Sequence, residues 1–374
     1  MAIMAFFAFL GVIDSFSFKG KRIFGGVLSA EFTKGIEMIG SLCLSIVGII
    51  TLVPLFQMLI ENTITPIYLK LGLDPSFVVS TFFAIDMGGY NIAEKVALDP
   101  TVGNWAGIIY ASTMGATISF TLPVSLKMVK KEDFKYFLKG VLFGVAALPL
   151  GTFVGGLMLR IDIKVILLNM IPLVLFSLIL ILLVIFAEKV AIKIFEWISK
   201  IIAFLALTGL GLGIIRDIVV VPLSSYYGFS MDDVFLFSHL DSTSVGIGVA
   251  GAVGIVLSGA LPFVYMLNKW LKKPLRGLKT KTGGTEFGVS GYLLSAANNM
   301  AMLSTFDKMT NKEKVLNAAF AVAGSFVIGD HLAFVGGVAK EYIITMIVSK
   351  LISAVIAVLL AYAFIRKDKG VDNA

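Results

Sequence analysis

Charge is what this 374-residue chain has least of. Asp, Glu, Lys and Arg make up 15% of it, against 58% hydrophobic residues and a mean hydropathy of +0.95. A water-soluble domain carries about a quarter charged residues, so a soluble globular protein is excluded. Cysteine is almost missing as well. Cys43 stands alone, which rules out an intramolecular disulfide framework and a multi-cysteine metal site. It lies in an apolar run and reads as a small core residue. Two histidines are too few for a multi-histidine zinc centre. No Walker-type phosphate loop is present, and no polar stretch is long enough to form a nucleotide-binding domain. The apolar start, Met1–Leu10, lacks a basic flank and an A-x-A-like cleavage site. It reads as a retained first helix.

What the chain does have is long apolar runs. They fall at 2–17, 37–60, 101–124, 140–159, 163–187, 199–221, 243–267, 315–338 and 342–365. Helices of about 20 apolar residues cross a bilayer, whereas a β-barrel shows short alternating segments. The chain is therefore expected to be an all-α polytopic membrane protein. Two further apolar stretches, 76–98 and 284–306, are interrupted by Gly88-Gly89 and by Asn298-Asn299.

The net charge of +7 comes from basic clusters, the mark of cytoplasmic loops, so a nucleic-acid partner is not expected. Lys19, Lys21 and Arg22 form one cluster. Lys127, Lys130, Lys131, Lys135 and Lys139 form a second, in loop 125–139. Lys189, Lys193 and Lys200 lie in stretch 188–200. Lys269, Lys272, Lys273, Arg276, Lys279 and Lys281 lie in loop 268–281. Lys308, Lys312 and Lys314 follow, and Arg366, Lys367 and Lys369 close the chain. Loops 61–75 and 222–240 are poor in Lys and Arg and are expected outside. The N-terminus is then outside and the C-terminus cytoplasmic.

With these sides fixed, stretch 76–98 must enter from outside and return there. Stretch 284–306 must leave the inside and return inside. Both read as re-entrant hairpins. The order of elements then repeats. Residues 1–160 form a first repeat with hairpin 76–98, and 199–374 a second with hairpin 284–306. Segment 161–198 is a spacer helix and cytoplasmic stretch that gives the halves opposite orientations. Pro54 and Pro262 fall at matching places, 208 residues apart, and Thr117-Ile118-Ser119 lies opposite Gly329-Asp330-His331. The expected fold is thus a pair of inverted repeats of five elements, each with a re-entrant hairpin and a broken helix. In transporters of this kind the site lies where the breaks meet.

Candidate chemistry gathers at those breaks. A carboxylate within a span costs at least about 2.5–3.5 kcal/mol, so Asp86 should face a partner or a wet cavity. Gly88 and Gly89 permit a sharp reversal, presenting Asp86 and Tyr90 to a ligand. The alternative is a loop end with Asp86 as a helix cap. Asp330 and His331 read as a cation site or proton relay, or as a pair that steadies the helix break. Asn298 and Asn299, beside Ser295, can coordinate a ligand or satisfy their own turn. Thr117 and Ser119 are supporting hydroxyls, and such groups also bind helices together. Arg216-Asp217 reads as a local ion pair. His239 reads as solvated, and Glu31, Lys34 and Glu37 as surface charges ahead of the second span.

A secondary carrier fits these features. An intramembrane aspartyl protease needs a Gly-x-Gly-Asp run, and here the residues are Val327-Ile328-Gly329-Asp330. A passive channel differs in carrying flux that does not saturate. No enzyme activity, cofactor or metal is expected. Two aspartates favour a small cation as cargo.

The runs Asp86-Met87-Gly88-Gly89-Tyr90 and Gly329-Asp330-His331-Leu332-Ala333-Phe334 resemble the ethanolamine utilisation transporter (EutH) family of bacterial inner membranes. Gly254–Pro262 and Asn317–Val322 are similar to that family too, and the likeness runs over nearly the whole chain. It implies uptake of ethanolamine across the cytoplasmic membrane to feed ethanolamine ammonia-lyase. The residues alone reach only a carrier for a small cation. An ammonium suits Asp86 and Asp330 as hydrogen-bonding counter-ions and Tyr90 as an aromatic face. Asn298 or Asn299 is a candidate for the hydroxyl, and His331 for pH coupling. Another small polar metabolite, ion coupling, facilitated diffusion and a homo-oligomer stay open.

Overall fold

Helix follows helix throughout. The computed structural model describes residues 1–16, 22–230, 234–282 and 285–365, and every regular element among them is helical. Helices α1 (Ala2–Ser15), α2 (Val27–Thr51), α3 (Val53–Thr63) and α4 (Thr65–Leu71) open the chain. A broken pair follows, α5 (Ser76–Phe82) and α6 (Tyr90–Val96). Then come α7 (Pro100–Met128), α8 (Phe134–Met158), α9 (Ile163–Phe186) and α10 (Glu188–Tyr227). A single turn, α11 (Phe235–Ser238), leads into α12 (Thr243–Thr282). A second broken pair is α13 (Glu286–Ala297) and α14 (Asn299–Leu303). The chain ends in α15 (Asn311–Ala323), α16 (Asp330–Val338) and α17 (Ile343–Ile365). Among the described residues seven helices are long and apolar enough to cross a membrane, and α1 is a shorter apolar one. The protein is a multi-pass membrane protein.

Several boundaries differ from those the sequence predicts. The span expected at 37–60 runs from Val27 to Thr51, because Pro54 in the first turn of α3 starts a new helix. Glu31, Lys34 and Glu37 therefore lie inside α2, with Lys34 and Glu37 on its exposed side. Stretch 188–200 is the first third of α10, and loop 268–281 is a continuation of α12. Lys and Arg are good helix formers, so a basic run marks a membrane edge without ending the helix. Loop 61–75 is largely the helices α3 and α4. Lys19, Lys21, Arg366, Lys367 and Lys369 lie outside the described residues, as do the side chains of Lys272, Lys273, Arg276, Lys279 and Lys281.

Small residues set the packing. Helix α2 contacts α10 and α12, α1 contacts α12, and α8 contacts α15 and α17. A Cβ on Gly48 would strike the Ala206 carbonyl of α10, and one on Gly35 the backbone of Leu257 and Ser258 in α12. Lipid gives apolar helices no hydrophobic drive to associate, so close backbone approach supplies contact energy. Polar ties finish the ends. Asp14 is fully buried and accepts from the backbone N–H of Phe24, Gly26, Leu28 and Ser29 at 2.8–3.3 Å, satisfying the free donors at the start of α2. Lys314 donates to Asp133 at 2.5 Å, and Lys130 pairs with Asp307 at 2.9 Å. Arg216 pairs with Asp217 at 2.6 Å, as the sequence suggests, and Asp217 also accepts from Thr243 N at 2.7 Å to cap α12. His239 is half-buried with Nδ1 2.9 Å from the Ser238 hydroxyl, not simply solvated.

Candidate functional site

The first break lies between α5 and α6. Phe83 and Ala84 turn extended, and Gly88 takes φ +89°. That left-handed backbone suits a glycine, and a Cβ there would also strike Ile49. Freed backbone must find partners inside a membrane protein. Ala84 N donates to Ser119 Oγ at 3.1 Å, and Gly89 N donates to the Ala84 carbonyl at 2.9 Å. The turn lifts Asp86 out of the helical ladder and leaves its side chain 24% exposed.

The second break is double. Asn298 separates α13 from α14, and residues 324–329 separate α15 from α16. The two interruptions bond to each other. Phe326 N donates to the Ser295 carbonyl at 2.9 Å, and Ile328 N to the Ala296 carbonyl at 3.0 Å. Phe326 has φ +60°, a conformation bulky residues rarely adopt. Its ring lies 4.9 Å from His331 and 5.4 Å from Phe120, which explains what holds it. Gly329 presses on the Ala297 carbonyl, where no Cβ fits.

These breaks converge. His331 Nε2 stands 4.0 Å from Asp86 Oδ1, and Asn298 Nδ2 donates to Asp330 Oδ2 at 3.0 Å. Asp86, Asn298, Asp330 and His331 thus form one cluster from three elements. Asp86, Asn298 and Asp330 are half-buried, whereas His331 is buried with Nδ1 unpartnered. Tyr90 is buried, with its ring 6.0 Å from Phe334 of α16.

Other expected site residues support the breaks. Gly88 and Gly89 are buried against protein. Asn299 is fully buried; Nδ2 donates to Thr121 Oγ1 at 3.0 Å and to the Ala321 carbonyl at 3.2 Å. Its Oδ1 accepts from Ser295 at 2.5 Å. Ser119 receives Ala84 N, and Thr117 donates to the carbonyls of Thr113 and Val322 at 2.8 and 3.3 Å. One residue escaped the sequence reading. Lys350 in α17 is fully buried and donates to the Ser112 carbonyl. A lysine inside an otherwise apolar run between Ser349 and Ser353 was the signal available.

Two carboxyl groups, an amide and an imidazole in one half-buried cluster suit a small polar cation. A family model described as "Ethanolamine utilisation protein, EutH" matches residues 1–364. The chain belongs to the EutH family. Similar proteins include a "Probable ethanolamine permease EutH" of Listeria monocytogenes, 36% identical over 99% of this chain and 96% of that one. The protein of that name from Salmonella typhimurium is 31% identical over 98% and 95% of the two chains. An "Uncharacterized protein YxeR" of Bacillus subtilis is 35% identical over 88% and 86%. No solved structure matches. The EutH match spans both halves of the chain, so it includes every residue of the cluster.

Proposed function

We propose that this EutH-family protein is a carrier, not an enzyme, that takes up ethanolamine as its ammonium cation across the bacterial cytoplasmic membrane. The observation that carries the reading is that Asp86 stands 4.0 Å from His331, the chain neighbour of Asp330, which brings two carboxyl-bearing residues 244 apart in sequence into one half-buried cluster. An aliphatic amine is cationic at neutral pH, as lysine is with its ordinary value of about 10.4. Carboxylates accept charge-assisted hydrogen bonds from it. Asn298 offers a polar partner to the hydroxyl, and Tyr90 an aromatic face. The relatives named as ethanolamine permeases support this cargo.

The architecture we propose is a pair of inverted repeats, 1–160 and 199–374, about the spacer 161–198. Helices α1, α2, α5/α6, α7 and α8 correspond to α10, α12, α13/α14, α15/α16 and α17. Its support is that contacts recur in matched pairs. Helix α2 meets α10 as α12 meets α1, and α5 meets α7 as α13 meets α15. The two broken pairs are then re-entrant hairpins inserted from opposite sides, with the N-terminus outside and the C-terminus cytoplasmic. Transport proceeds by movement of the hairpins against α2 and α12, exposing the cluster alternately.

Counterflow of labelled ethanolamine in proteoliposomes tests the reading. Saturable exchange is expected from the wild type, and its loss from Asp86→Asn at equal protein content. Flux that never saturates indicates a channel, and wild-type uptake by Asp86→Asn removes the site.

A further inference from the structure

Helix α2 changes character along its length, and the first break sits at the change. From Ile46 to Thr51 every residue is buried, and Leu52 and Val53 continue the burial. Ile49 packs on the first break, where a Cβ on Gly88 would strike it. Before Ile46 the helix opens. Ser45 is half-buried, and Ser41, Glu37, Lys34 and Thr33 are exposed. Ser45 and Ser41 lie four and eight residues before Ile49, so the three share one side of the helix. That side is not the seam with α12, where Gly35 meets Leu257 and Ser258, and Ile39 meets Gly254. Lys34, Ser41 and Ser45 stand roughly 80–120° round the helix from Gly35, at 3.6 residues per turn.

Lipid or water must meet this polar face. Glu37 lies near the middle of a 25-residue spanning helix, and a carboxylate facing lipid at that depth costs at least about 2.5–3.5 kcal/mol. Water is the cheaper surrounding. The opposite side of the cluster is packed shut. Tyr90, Ile92, Phe334 and Val335 are buried, and the Tyr90 ring stands 6.0 Å from Phe334. Asp86 is nevertheless 24% exposed, which leaves the half of α2 that starts at Val27 as the direction of its opening. The serine hydroxyls match a cation in their chemistry. Ser41 Oγ donates to the Met38 carbonyl at 2.8 Å, and Ser45 Oγ to the Leu42 carbonyl at 3.1 Å. A hydroxyl has one hydrogen, so each presents only lone pairs away from the helix.

We propose that this face of α2 is the wall of a water-filled passage from the carboxylate cluster to the side of the membrane where α2 begins, and that Ser45 and Ser41 are successive acceptors for the passing ammonium. The inference rests on the reading of the cluster as the cargo site. The structure is then the state open to that side, cytoplasmic in the topology above, with Tyr90 and Phe334 closing the other. The ammonium leaves Asp86, donates to Ser45 Oγ and then to Ser41 Oγ, and reaches bulk water beside Glu37 and Lys34. Their opposite charges cancel at the mouth, so the hydroxyls and not the mouth favour a donor cation. No covalent bond changes.

Cys43 is the one cysteine of the chain, so Cys43→Ala gives a background for single reporters. Ser45→Cys and Ser41→Cys exchange one small side chain for another. Leu175→Cys, on the exposed apolar side of α9, is the lipid control. A membrane-impermeant, permanently cationic methanethiosulfonate reacts with the thiolate, a form that needs water. Applied to inverted membrane vesicles, it is expected to label both serine-site reporters at least about tenfold faster than the lipid control. In intact cells it should label them slowly. Ethanolamine should slow the labelling of Ser45→Cys several-fold, and labelling should stop ethanolamine counterflow in both reporters but not in Leu175→Cys. Labelling as slow as the control, or faster in intact cells than in inverted vesicles, overturns the passage; counterflow that persists in the same protein leaves the cargo reading standing. Fast labelling that neither responds to ethanolamine nor stops counterflow overturns the role of the serines. Absence of counterflow from the unlabelled wild type overturns both readings. If a serine variant does not fold, Glu37→Cys, one turn nearer the mouth, carries the same test.

Discussion

Replacing Asp330 by Asn isolates one charge in the cluster. The new amide keeps an oxygen where Asp330 Oδ2 accepts from Asn298 Nδ2 at 3.0 Å, so the tie between α16 and the second break survives. The backbone bond from His331 N to the Phe326 carbonyl at 3.2 Å is untouched. What disappears is the group's capacity to carry a negative charge. A hydrogen bond to a charged group contributes about 1.5–3 kcal/mol, and each 1.4 kcal/mol is tenfold in affinity. If Asp330 contacts the ammonium, Asp330→Asn weakens ethanolamine binding roughly 10- to 150-fold. Binding to detergent-purified protein, read by scintillation proximity, measures this directly and avoids differences in expression. Asp330→Glu restores the charge one methylene further out and should recover part of the affinity. A dissociation constant for Asp330→Asn within about threefold of wild type, for a variant of normal thermal stability, refutes a shared site. It would leave Asp330 as a residue that only steadies the break.

Three further outcomes test the scaffold. Gly48→Ala places a methyl group into the Ala206 carbonyl, so α2 and α10 must separate; a loss of about 1–3 kcal/mol is expected from overpacking, read as a lower unfolding temperature, and an unchanged one contradicts the packing. Asp14→Ala strands the four backbone donors it now receives, at about 1–3 kcal/mol for each that stays dry; Asp14→Asn should fall between, and equal stability of all three proteins shows the cap to be idle. The hydrogen bond from Lys130 holds the Asp307 carboxyl below the usual carboxylate range. A depressed folded-state value adds stability above the ordinary value of about 3.9 and loses it as pH falls through the lowered value. Lys130→Ala should return the Asp307 titration, followed by NMR, to the ordinary range, and an unmoved midpoint counts against the pair.

The sequence carried the helices and the breaks because both rest on local chemistry. Long apolar runs have no other stable form in a bilayer, and Gly88, Asn298 and Gly329 each mark a place where the backbone leaves the helix. It misled where charge was read as loop. The basic stretches 188–200 and 268–281 are helical, since Lys and Arg mark a membrane edge and not a helix end. Asp86 and Asp330 were legible as isolated carboxylates. Asn298 was legible as an amide for a ligand or for its own turn, but its bond to Asp330 was not, because a contact between residues 32 apart in chain number leaves no local signal. Asn299, similar on paper, is consumed by Thr121, Ala321 and Ser295. Which of two adjacent amides reaches Asp330 is decided by the dihedral angles of the break, and composition does not contain them.

The proposed repeat copies backbone and not charge. Asp86 and Asn298 are 212 residues apart, as are Thr117 and Gly329, and both pairs sit where the helices are interrupted or widened to a π-helix. At the same offset Asp330 corresponds to Ile118. Each half therefore supplies one carboxylate, but from a different element: the hairpin in the first half, the following helix in the second. Four carboxylates, as strict copying would give, could not stay ionised together. Two are enough to hold the single ammonium of the proposed cargo.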